Sequence, residues 1–179
     1  SWRGKIKLKV YGNKFELAAA DLEKQELSDV VSVTGPVPYC EALHKLKTAN
    51  LLFMPLPDRL DGTPGDRISL KTYEYLMTDR PILAAVPLGE NRNYLGDKPG
   101  VHLVTPFDVE AMAQVIEQLV TQHMAGETLV IERVETQRAI SYSKRGDELA
   151  MLVLDVLNKI DDGKPFKGPP VIGTTTISG

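Results

Sequence analysis

The chain has 179 residues, a length that suits one domain of ordinary size with a buried core. Its 21 lysines and arginines against 24 aspartates and glutamates leave a net charge of −3, which excludes a globally basic nucleic-acid binder; 42% hydrophobic and 25% charged residues exclude a disordered chain. The single cysteine, Cys40, excludes an internal disulfide, the three histidines show no Cys/His metal spacing, and no apolar run approaches the roughly 20 residues of a bilayer span or forms a signal-peptide core, so a cytoplasmic domain is expected.

In chain order, residues 5–11 (KIKLKVY) alternate Ile6, Leu8 and Val10 with lysines, the pattern of a half-buried strand, ended by Gly12-Asn13. Residues 15–27, rich in alanine and glutamate, have helical spacing. Residues 30–33 are a short β-branched strand stopped by Thr34-Gly35-Pro36. Residues 39–49 predict an amphipathic helix with Leu43 and Leu46 toward the core, and residues 51–54 a fully apolar strand, as in a parallel sheet covered on both faces. A Pro-, Gly- and Asp-rich loop over 55–69 is long enough to expect a functional or mobile segment. A short helix over 70–77 follows, then strands over 81–86 and 101–104, a helix over 108–122 capped by Asp108 with Met112, Val115, Ile116 and Leu119 on one face, and a last helix over 148–160. Residues 161–179 read as a tail or linker behind a domain of residues 1–160.

Alternating strands and helices predict an α/β fold, with one mostly parallel, Rossmann-like sheet and helices on both faces. Ligands of such sheets sit beyond the carboxyl ends of the strands, and two stretches expected there have chemical content. Residues 66–76 (DRISLKTYEYL) run from a loop into a helix. Ser69 can cap its first turn, Lys71 places a cation beside the free N–H groups, and the Glu74 carboxylate can accept from two adjacent hydroxyls, as on a ribose. The same residues also fit a capped surface helix with a solvated Lys–Glu face. Residues 34–39 (TGPVPY) form a tight strand-to-helix turn whose backbone could meet a flat ring, and which also fits an ordinary turn. Cys40 fits a small packed residue, His44 a surface position, and Asp58 and Asp61 a solvated loop or a cation site. The chain carries no G-x-G-x-x-G, no G-x-x-x-x-G-K-[ST] and no G-x-S-x-G, which argues against a dinucleotide oxidoreductase, a P-loop NTPase and an α/β-hydrolase.

The order of these two stretches, with the flanks DVVSVTGPVPYCEALHKLKTANLLFMPL, SLKTYEYLMTDRPILAAVP and VHLVTPFDVEAMAQVIEQL, resembles the carboxy-terminal half of group 1, GT4-like glycosyltransferases; K-x-x-E-Y-L followed by R-P-I-L-A is the most specific piece. The resemblance implies the GT-B architecture of two facing Rossmann-like domains, of which this half holds a nucleoside diphosphate sugar. Glu74 matches the second glutamate of the family's E-x7-E motif, the ribose ligand. Asp66 falls on the first, which approaches the donor sugar, and is an aspartate where the family has glutamate. Gly35-Pro36-Val37 matches the turn that contacts the base through Val37, and Ser69, Leu70 and Lys71 match the loop and helix start beside the diphosphate.

The resemblance further implies sugar transfer with retention; no cofactor and no metal are expected. It also implies an amino-terminal acceptor domain outside this chain, and no catalytic residue assignable within it. The family's phosphate-gripping Arg and Lys follow a first, central strand that is not found in this sequence: either the chain is part of a longer enzyme, or segments are omitted, or the sheet closes up without it, and a cut domain would expose a cleft between the strands that flank it. Lipid-linked acceptors, common in the family, would place the enzyme at the inner face of a membrane. The rival expectations are a non-catalytic nucleotide-binding or interaction module of the same fold and a nucleotide-sugar epimerase.

Overall fold

A computed structural model describes residues 4–12, 19–58, 60 and 62–161. Strands and helices alternate through most of them: β1 (Leu8–Tyr11), α1 (Ala19–Lys24), β2 (Val31–Thr34), α2 (Tyr39–Thr48), β3 (Leu52–Pro55), α3 (Leu70–Leu76), β4 (Ile82–Ala85), α4 (Glu90–Leu95), β5 (Val101–Val104), α5 (Val109–Met124), α6 (Val134–Ile140) and α7 (Tyr142–Asp161). The chain divides into two compact units, Ser1–Glu132 and Arg133–Gly179.

The first unit is α/β with parallel strands throughout, a Rossmann-like arrangement. β1 pairs with β2, Leu8 opposite Val31. β4 lies between β3 and β5, with Leu52, Ile82 and Val101 in register. The single sheet expected from the sequence is therefore two: among the described residues no ladder joins β1 to β3. The chain leaves β2 through α2 and enters β3 without pairing it to either strand of the first ladder. The two ladders differ in burial accordingly. Every residue of β4 is at most 1% exposed, whereas Leu8 and Val33 remain 38% and 36% exposed.

The core sits on the three-stranded sheet. Leu83, Ala85 and Val104 pack against Met112, Val115 and Ile116 of α5, the face expected from the 3.6-residue spacing, and Leu119 is buried on the same helix. Asp108 caps α5 as expected, its carboxylate accepting from the Ala111 N–H at 2.9 Å. Leu43 and Leu46 of α2 are only half-buried, and no residue of α2 is fully buried.

Three helical features depart from the sequence reading. Residues 90–95 form α4, which has few apolar residues and starts from Gly89 at φ 133° in place of a polar cap. α6 is a further short helix not expected from the pattern. α7 begins at Tyr142, six residues before the expected start, and carries Gly146 in its interior. In the second unit Ser141 joins α6 to α7. Its hydroxyl donates to the Arg138 carbonyl at 2.9 Å and accepts from the Lys144 N–H at 3.2 Å. No described helix is long and apolar enough to cross a membrane. The tail expected over 161–179 falls, beyond Asp161, outside the described residues.

Candidate functional site

The carboxyl ends of the strands carry the turn after β2, the loop after β3 and the loop after β4. Two stretches that the sequence singles out meet there. Tyr39, the first residue of α2, donates its phenolic hydrogen to Glu74 Oε1 of α3 at 3.1 Å, a contact between residues 35 apart. Val37 is half-buried in the turn that leads into α2, two residues before Tyr39, and Glu74 is half-buried on α3. Lys71 is exposed one turn before Glu74 on the same helix, and Leu70, the first helical residue, is 70% exposed. Val37, Glu74 and Lys71 are thus brought to neighbouring elements around the Tyr39–Glu74 hydrogen bond.

α3 is fixed from its other side by a residue absent from the sequence reading. The Asn91 side-chain carbonyl accepts from the Ser69 backbone N–H at 2.8 Å and from the Thr72 hydroxyl at 2.6 Å. Thr72 is fully buried and Asn91 nearly so. The expected Ser69 side-chain cap does not form: Ser69 occupies the cap position with extended backbone but makes no capping hydrogen bond through its hydroxyl. Asn91 instead ties the start of α3 to α4. The signal in the sequence was a lone asparagine two residues after Gly89, with no spacing that links it to Ser69.

The loop after β3 is held at one point. Gly65 and Gly89 form a parallel bridge, the Gly65 N–H donating to the Leu88 carbonyl at 3.0 Å and the Glu90 N–H to the Gly65 carbonyl at 2.8 Å. A side chain at Gly89 is excluded, since a Cβ there would lie 2.2 Å from the Gly65 carbonyl oxygen and φ is 133°. Beside this bridge lies a concavity of about 200 Å³ lined by Pro57, Gly65, Arg67, Leu88, Gly89 and Asn91. It shares none of Val37, Ser69, Lys71 or Glu74; Asp66, exposed, stands between two of its lining residues in the chain.

α3 and α4 also meet through Tyr73 and Tyr94, whose ring centroids are 5.5 Å apart at 59°, with the Lys98 ammonium 5.0 Å from the Tyr94 ring. Tyr75 donates to the Phe53 carbonyl at 3.4 Å; burial, and then the Glu74 charge, raise its pKa above the usual phenol range. Arg92 of α4 donates to the carbonyls of Val86 and Val104, each at 2.8 Å, and so brackets the ends of β4 and β5.

Cys40 is exposed rather than packed, because it lies on the outer side of the first turn of α2, a helix with no fully buried residue. His44 is exposed, as expected. Among the described residues no group of three or more His, Cys, Asp or Glu side chains could hold a metal; Asp58 belongs to no such group, and Asp61 lies outside the described residues. No protein-family model matches the chain, and no curated protein matches it in sequence.

Proposed function

We propose that this chain is the donor-binding part of a GT-B, GT4-like glycosyltransferase, holding a nucleoside diphosphate sugar with the base at Val37, the ribose at Glu74 and the diphosphate beside Lys71. The observation that carries the reading is the Tyr39–Glu74 hydrogen bond. It joins the turn suited to a flat ring to the carboxylate suited to a vicinal diol, on stretches that no local spacing would bring together. A charged carboxylate accepting from two hydroxyls gives charge-assisted bonds that fix the ribose, and the ribose fixes the distance from base to phosphate. Lys71, exposed one turn before Glu74, supplies the cation for the leaving diphosphate. Ser69 and Leu70 would face the diphosphate through the chain segment that Asn91 anchors, and Asp66 would stand nearest the donor sugar.

In this reading transfer proceeds with retention, and the acceptor arrives from an amino-terminal domain that closes over the donor in the cytoplasm, at the inner face of a membrane where the acceptor is lipid-linked. No general base is assigned to this chain. A second reading, a nucleotide-binding module of the same fold without transfer chemistry, is favoured by Asp66, whose side chain is one methylene shorter than the family's glutamate.

Calorimetric titration of the complete protein tests the site. Glu74→Ala should weaken binding of nucleosides and nucleoside diphosphates alike by at least about tenfold, since each bond to a charged acceptor contributes roughly 1.5–3 kcal/mol. Lys71→Ala should weaken the diphosphate more than the nucleoside, and the loss should shrink at high salt. Unchanged affinity in a folded Glu74→Ala protein would leave Glu74 a surface residue and remove the donor site.

A further inference from the structure

Tyr39 is two-thirds exposed, and its hydroxyl is committed to a half-buried carboxylate on another helix. For stability alone this is a minor contact: a single hydrogen bond at the protein surface, most of whose strength water would replace. Its geometry matters more for what Glu74 can bind. A glutamate has three rotatable bonds, and holding them in one arrangement has an entropy cost that a ligand must otherwise offset. Tyr39 has only two, and its backbone is the first turn of α2, so it restrains the carboxylate at little further cost. The phenol donates to Oε1, and a carboxylate has about four acceptor positions, so engaging Oε1 once leaves room for two ribose hydroxyls.

We propose that Tyr39 is a positioning residue for the ribose: its phenol holds the Glu74 carboxylate in the orientation that accepts the 2′- and 3′-hydroxyls together, and thereby sets the preference for ribonucleotides over 2′-deoxynucleotides. The inference rests on the donor-site reading of Glu74. It adds a residue that touches Glu74 and acts on the ligand through it. The same bond links the turn at Val37 to the carboxylate, so base contact and ribose contact are held at a fixed spacing.

The test is titration of the complete protein with the ribonucleoside diphosphate it binds tightest, the matching 2′-deoxy compound, and inorganic pyrophosphate. Tyr39→Phe keeps the ring at an exposed position and removes the hydroxyl that donates to Glu74. It should weaken the ribonucleotide about three- to tenfold, leave the 2′-deoxynucleotide within about twofold and pyrophosphate unchanged, and so narrow the ribo-to-deoxy ratio. In a Glu74→Ala background, Tyr39→Phe should have no further effect. Equal losses for all three ligands would mark Tyr39 as general scaffold and overturn the proposal, as would an unchanged ribonucleotide affinity. Failure of the underlying reading is separately visible: the wild-type protein would then bind no nucleotide, or Glu74→Ala would bind as well as wild type, and the proposal falls with it.

Discussion

Asn91 shows how much of a site can hang on one side chain that no motif announces. Its carbonyl oxygen accepts two hydrogen bonds, from the Ser69 N–H and the Thr72 hydroxyl, and both fix the start of α3. Thr72 is completely buried, so its hydroxyl has no water to turn to if the acceptor is lost. Asn91→Ala should therefore destabilise the protein by about 1–3 kcal/mol, read as a lower urea midpoint with an unchanged slope. A midpoint equal to wild type would mean that α3 is held by its apolar contacts alone. Glu74 and Lys71 were legible in the sequence because a carboxylate and a cation one turn apart after a Pro/Gly loop form a local pattern. Asn91 and Tyr39 were not, because each acts on α3 from a different element, and their contacts span 19–22 and 35 residues.

At the scale of elements, periodicity found what burial had written into the sequence. The apolar face of α5 was readable because it packs on the sheet, and the apolar runs of β3 and β4 because the sheet buries most of their residues, every one in β4. α4 was not, because it has few apolar residues and is fixed by Asn91, Arg92 and a glycine with positive φ, none of which makes a hydrophobic period. β5 carries a titratable group in a strand that is otherwise apolar. Burial holds His102 below the usual imidazole range. The unfolded chain then binds that proton more readily than the folded one, so the neutral residue's contribution is fully present above about pH 6.5 and is lost as pH falls through the depressed folded value. His102→Gln should flatten the acid side of the stability profile, measured as urea midpoints between about pH 8 and about pH 5. An identical slope in the variant would show that His102 exchanges its proton as freely in the folded protein as in the unfolded chain.

For the whole molecule, the sequence carried the α/β class, since strand and helix periods alternate through most of the chain. The pattern alone predicted one sheet; the break between β1 and β3 falls where the resemblance left a central strand unaccounted for, because a four-residue strand such as β1 carries no mark of its neighbour. Nor did it carry the division after Glu132, where helix follows helix and no composition change marks the boundary. The proposed donor residues all belong to the first unit, with the turn at Val37 following the two-stranded ladder and α3 following the three-stranded sheet. In the proposed site one nucleotide binds across those two elements at the Tyr39–Glu74 contact. A crystal structure of the complete protein with a nucleoside diphosphate is the decisive test. The ribose hydroxyls should lie within hydrogen-bonding distance of the Glu74 carboxylate, with the base on the turn at Val37 and the diphosphate beside Lys71. A nucleotide bound elsewhere, or none at saturating concentration, would rule out the donor site.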